Sequence, residues 1–105
     1  MNHYISIAVV IPTYNRPDLI CGALISLQRQ SYSNWKAYVV NDASTVDYSK
    51  VTRSFSEDDR IVFYTLEVNR GINGARNVGI DQAYAHGFDY LTFLDDDDEF
   101  TEDYF

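Results

Sequence analysis

The chain has 105 residues, 46% of them hydrophobic and 15% aromatic, with a formal net charge of −8 and a pI near 4.4. That length suits one small domain with a core of its own, and the acidic balance excludes general binding to nucleic acid or to an anionic membrane surface, both of which need basic patches. Cys21 is the only cysteine, which excludes an internal disulfide and a cysteine-based zinc cage.

Ile5 to Ile11 is a nearly continuous apolar, β-branched run that suits a buried parallel strand, and Pro12 is expected to stop it. Leu19, Ile20, Ala23, Leu24 and Leu27 then make one apolar stripe at helical spacing, with Cys21 as a buried, inert thiol inside it. Lys36 to Val40 reads as a second strand ending at Asn41-Asp42. Asp47 to Phe55 reads as a weaker helix and Ile61 to Leu66 as a third strand. Asn73 is expected to cap a helix running to about His86, ended by Gly87. Asp89 to Leu94 is a fourth strand. Thr101, Glu102 and Asp103 look like the opening of one more helix, and because the chain stops at Phe105 a truncated domain is expected. The order predicts an α/β domain with a Rossmann-like, mostly parallel sheet, flanking helices and right-handed crossovers. The apolar run Ala8–Ile11 has no basic leader or cleavage site and nothing approaches transmembrane length, so a cytoplasmic location is expected.

In open α/β sheets ligands bind beyond the carboxyl ends of the strands, where strand order reverses. Three polar clusters fall at such ends: Pro12-Thr13-Tyr14-Asn15, Asn41-Asp42, and Asp95 to Asp98. If the fourth strand pairs beside the first, all three face one crevice. Each also has a plain reading, as a turn with Asn15 capping a helix, as a strand exit, and as a solvated acidic loop. A tyrosine at a crevice mouth offers a face on which a base can stack, and Asp42 could accept a hydrogen bond from a base N–H.

The acidic run is the sharpest signal because it follows a buried strand directly. Adjacent carboxylates repel unless a cation lies among them. In extended chain Asp95 and Asp97 point the same way, as oxygen ligands for magnesium or manganese would. Such an ion would also recruit a diphosphate that a chain of this charge would otherwise repel. In NRGINGARNVGI, residues 69–80, Gly71 suits a turn conformation, and Gly74, Ala75 and Gly79 would let the helix lie close on the sheet. Arg76 in the expected first turn either strengthens an anion site or pairs with a surface aspartate. There is no phosphate-binding loop ending in Gly-Lys-Ser/Thr, no Gly-x-Gly-x-x-Gly after the first strand and no serine nucleophile elbow. ATPase, dehydrogenase and hydrolase readings are therefore poor.

Taken together, VVIPTYNRPDLI, QSYSNWKAYVVNDAS, NRGINGARNVGI and YLTFLDDDDEF resemble, in order and spacing over essentially the whole chain, the family 2 glycosyltransferases of GT-A fold. The resemblance implies that residues 1–105 are the N-terminal nucleotide-sugar-binding half of such a domain. The family's Asp-x-Asp motif then maps onto Asp95-Asp96-Asp97, with Asp97, and Asp95 beside it, at a Mn2+ or Mg2+ ion and Asp95 or Asp96 at the ribose. It puts Tyr14 against the base, Pro12 and Thr13 around its pocket, Asp42 on a base that is usually uracil, and Arg76 on base or diphosphate. Ala43 stands where glycine is common, which is tolerable if its φ is negative. The family implies transfer of a sugar from a UDP-sugar to a hydroxyl of a glycan or lipid-linked acceptor, with inversion, at the cytoplasmic face of a membrane in the full-length protein. The general base and the acceptor site are expected beyond Phe105, leaving a fragment that transfers little or no sugar and that could self-associate or dimerise through uncovered apolar surface. The rival readings are a non-catalytic nucleotide-binding module, a nucleotidyltransferase, which generally wants a glycine-rich basic loop where Thr13-Tyr14-Asn15-Arg16-Pro17 stands, and a calcium module, which lacks the EF-hand glycine and glutamate.

Overall fold

A computed structural model describes residues 5–105. The elements are β1 (Ile7–Thr13), α1 (Pro17–Gln28), β2 (Trp35–Asn41), α2 (Ser49–Ser54), β3 (Ile61–Thr65), α3 (Gly71–Ala85) and β4 (Tyr90–Phe93). The strands form one sheet in the order β3-β2-β1-β4, and every pairing is parallel.

Alternation along the strands divides the core in two. Ile7, Val9 and Ile11 of β1 and Trp35, Ala37 and Val39 of β2 meet Ile20, Ala23, Leu24 and Leu27 of α1 and Val51 of α2 on one face. Burying each such Leu or Ile is worth roughly 1.5–3 kcal/mol, so this layer carries most of the hydrophobic stabilisation. The other face is thin. Ala8 and Tyr38 pack with Ala83, and the buried residues of α3 are Ala75, Gly79 and Ala83, all small and four apart. A Cβ on Gly79 would lie 2.4 Å from Val10 Cγ1. The helix therefore touches β1 backbone-close, and no other residue fits there. Gly74 does a different job from the one expected of it: its neighbour is the Arg70 side chain, not the sheet.

Beyond shifts of one or two residues at the other element ends, four departures from the sequence reading bear on the site. β1 runs through Pro12 to Thr13, with Pro12 in register with Val40 of β2. Leu94 N–H donates to Val10 O on the β4 side and Asp42 N–H to Thr13 O on the β2 side. By alternation Pro12 faces β4, where its missing N–H ends that ladder without harming the β2 pairing. Asn15 does not cap α1; Arg16 holds the N-cap position with no side-chain cap, ahead of Pro17. α3 begins at Gly71, with φ +74, before Asn73. Residues 101–105 make a turn, closed by Tyr104 N–H on Thr101 O, in place of a helix. That turn is tied to the end of α1 by Phe100 N–H on Ser26 Oγ and Ser31 N–H on Glu102 O, so tertiary partners satisfy the backbone a helix would have. Among the described residues, no helix is long and apolar enough to cross a membrane.

Candidate functional site

From β1 the chain steps outward to β2 and β3, then returns to place β4 on the opposite side of β1. Strand order thus reverses at β1, and the loops leaving β1 and β4 separate there. Between them lies a crevice of about 370 Å³. Pro12, Thr13, Tyr14, Asp42, Arg76, Asp95, Asp96 and Asp97 all line it. Arg16, Ile72 and Ala75 line it too, and the sequence reading attaches no ligand to any of them. For Arg16 a signal existed: a cation in one strand-end loop, facing an acidic run on the strand that pairs beside it.

The floor is a closed hydrogen-bond network. Thr13 Oγ1 donates to Asp96 Oδ2 at 2.9 Å and shares a 2.7 Å bond with Tyr48 OH. Arg16 N–H donates to the same Tyr48 oxygen at 2.8 Å. Asp96 is 6% exposed and Asp42 5%. Asp42 Oδ1 accepts Arg70 N–H at 2.7 Å, its carbonyl accepts Asn69 Nδ2, and its own N–H reaches Thr13 O. One aspartate therefore ties the β1, β2 and β3–α3 connections together. Tyr48 carried no mark in the sequence, because only its hydroxyl, at the far end of a core ring, enters this network.

At the mouth, Tyr14 is 44% exposed. Asn15 next to it has φ +55, a conformation asparagine tolerates, and its Oδ1 accepts Thr45 N–H at 2.8 Å. Ser44 Oγ accepts Asn15 N–H at 2.9 Å. This cross-link aligns the loops after β1 and β2. Ala43 lies in the left-handed region at φ +57, so the condition under which alanine would be tolerable there is not met; the position carries strain of roughly 1–2 kcal/mol.

The acidic rim is a turn, and the extended-chain argument for Asp95 and Asp97 does not apply. Asp98 N–H closes on Asp95 O at 3.0 Å, which turns Asp96 inward and leaves Asp95, Asp97 and Asp98 outside. These three each present a carboxylate oxygen, all within 4.8 Å of one another, and all are exposed. An all-oxygen donor set of this charge and spacing fits a hard divalent cation; Asp98 joins Asp95 and Asp97 as a third donor. Two arginines meet the rim. Arg16 Nη1 is 3.3 Å from both Asp96 Oδ1 and Asp97 Oδ2. Arg76, which the earlier start of α3 moves into the second turn, has Nη2 3.4 Å from Asp95 Oδ1. Its guanidinium carbon is 5.4 Å from the centroid of the Phe93 ring, and its Nε is buried without a hydrogen-bond partner. Of the two readings of Arg76, the pairing with an aspartate is present in the geometry, and the residue also lines the crevice.

Comparison with known proteins bears on this geometry. Residues 8–105 match the family described as Glycosyl transferase family 2. The chain is 36% identical over 98 residues to the glycosyltransferase GlyA of Streptococcus pneumoniae, covering 93% of this chain and 14% of that one. It is 38% identical over 95 residues to the GalNAc(5)-diNAcBac-PP-undecaprenol beta-1,3-glucosyltransferase of Campylobacter jejuni, covering 89% of this chain and 30% of that one. Among solved structures, S. aureus TarS 1-349 in complex with UDP-GlcNAc superposes with a TM-score of 0.82 at 28% identity, over 93% of this chain and 28% of that one. The chain therefore spans less than a third of each of these proteins.

Proposed function

Since this chain belongs to glycosyl transferase family 2, with the Rossmann-like parallel α/β sheet expected of it, we propose that it is the N-terminal, nucleotide-sugar-binding part of a glycosyltransferase whose donor is a UDP-sugar. The observation that carries the proposal is the convergence of three strand-end loops and the first turns of α3 on one crevice, with an acidic rim, two arginines and an aromatic mouth. The TarS structure with UDP-GlcNAc supports the choice of donor.

In this reading the base lies on Tyr14, walled by Pro12 and Thr13, and the Asp42 carboxylate accepts a base N–H. Asp96 or Asp95 meets the ribose. Asp95 and Asp97, joined by Asp98, would hold a manganese or magnesium ion, which when bound neutralises charge on the departing diphosphate. Arg76 adds a guanidinium on that side, where a chain of net charge −8 needs local positive charge to hold an anion. Held by these groups, the donor presents its sugar for attack by an acceptor hydroxyl, with inversion. No residue of this chain is assigned as the general base that such an attack requires, so the 105-residue chain is expected to bind donor and transfer little sugar. The undecaprenol-linked substrate in the name of the Campylobacter relative supports a lipid-linked glycan acceptor, and in this reading the full-length protein works at the cytoplasmic face of a membrane.

Calorimetric titration with UDP, in manganese and in chelator, tests the proposal. Binding that needs the metal is the expected result. Equal binding in both, or none in either, would refute it.

A further inference from the structure

Arg16 stands out from the rest of the crevice because its main chain is fixed while its side chain is not. Its N–H is held by Tyr48 OH, and its carbonyl accepts the first N–H groups of α1 from Leu19 and Ile20. The side chain is 50% exposed, and among the described residues only Nη1 has partners, at 3.3 Å from Asp96 Oδ1 and 3.3 Å from Asp97 Oδ2. A committed guanidinium–carboxylate bond is about 2.7–2.9 Å long. One nitrogen shared at two longer distances acts as a point charge between two carboxylates, and the guanidinium's remaining N–H donors stay unused. Arg76 stands in the same relation to Asp95, at 3.4 Å. Two of the three exposed rim carboxylates, Asp95 and Asp97, are thus each paired with an arginine that also lines the crevice.

We propose that Arg16 is a tethered counter-cation: it neutralises Asp97 until a divalent ion takes that carboxylate, keeps its contact with Asp96, and turns its free N–H donors toward the diphosphate that arrives with the ion. This rests on the donor-site reading above. The physical reason is charge. Asp95 to Asp98 carry four adjacent negative charges, which a guanidinium partly offsets, whereas a guanidinium and a divalent ion on the same carboxylate repel each other. The ion therefore loosens Arg16 from Asp97 at the moment when a diphosphate gives it a better partner. Arg16 is a binding residue whose effects on ion and nucleotide have opposite signs, a signature a merely structural residue lacks.

Arg16→Ala tests this by calorimetry with MnCl2 alone and with UDP in saturating manganese. The variant is expected to bind manganese about three- to fivefold more tightly, the size of a lost exposed charge–charge term, and UDP about tenfold more weakly, as for a lost hydrogen bond to a charged group. Arg16→Lys, which restores the charge without the planar fork, should return manganese affinity to the parent value and recover part of the UDP affinity. Denaturant unfolding of each variant checks that it is folded, because Arg16→Ala also removes a partner of buried Asp96; should the alanine variant not fold, the lysine variant alone decides through the split between the two ligands. Manganese affinity unchanged or weakened in a folded Arg16→Ala, or unchanged UDP affinity, overturns the role of Arg16 while leaving the donor site standing. Failure of the parent protein to bind manganese at all overturns both.

Discussion

Asp42 and Asp96 on the crevice floor are 5% and 6% exposed, whereas Asp95, Asp97 and Asp98 on its rim stand in solvent. The floor carboxylates accept Arg70 N–H, Thr13 Oγ1 and Arg16 Nη1, and through those bonds hold the loops after β1, β2 and β4 in place. The rim carboxylates have only long contacts to two arginines. One residue type, within four consecutive positions, thus performs two tasks: a buried carboxylate must be hydrogen-bonded to be tolerated at all, and that requirement fixes the loop; an exposed one is free to exchange partners. The division predicts that floor substitutions damage the fold along with donor contacts, and that rim substitutions damage binding alone.

The strongest way to break this comparison is Asp96→Ala. Loss of the acceptor shared by Thr13 and Arg16 should lower stability by about 2–3 kcal/mol in urea unfolding; a change below about 0.5 kcal/mol would show that the floor network is dispensable. Asp97→Asn comes next, with the opposite profile. Its stability should stay within about 0.5 kcal/mol of the parent, as for surface substitutions, while UDP affinity in manganese falls at least about tenfold, a loss of about 1.4 kcal/mol. Parent-like binding by this variant would remove Asp97 from the ion site. Ala43→Gly, beside Asp42 at φ +57, sharpens the comparison from the backbone side. Relief of left-handed strain outweighs the added chain entropy of glycine, so the melting midpoint should rise by an amount equivalent to about 0.5–1 kcal/mol, with donor binding unchanged.

The smallest effect is expected at Asp58, far from the crevice. The Arg60 guanidinium, which donates to both of its oxygens, holds this carboxyl at about 2, below the ordinary 3.8. A depressed folded-state value contributes stability above the unfolded value and loses it as pH falls from 3.8 toward 2. The guanidinium is 35% exposed and the carboxylate 15%, and for a pair at the protein surface screening and side-chain entropy hold the contribution to about 0.5 kcal/mol. Asp58→Asn should therefore flatten stability across that window, lowering it slightly at neutral pH and leaving it at the parent value below the window. A neutral-pH loss several times larger would mean that a part-buried carboxylate outside the crevice also carries the fold, blurring the contrast between floor and rim.

What this sequence determined alone was the set of periodic segments and the polar residues at their ends. The β1 and β2 runs are buried on both faces and read as continuous apolar strands; Ala75 and Gly79 announce a helix lying close on a sheet; Asp42 and Asp95 to Asp97 follow strands immediately. These are local patterns, and local patterns survive reading without coordinates. The tertiary structure decided the rest: that β4 pairs beside β1, that the acidic run is a turn with Asp96 inside and Asp98 outside, that Tyr48 closes the floor, and that Arg16 stands between Asp96 and Asp97. Each of these depends on groups distant along the chain meeting across a sheet. A carboxylate next to a partner contributed by another loop is a different chemical object from the same carboxylate in a string of letters, because burial and partners, not residue type, set whether its charge belongs to the fold or to a ligand.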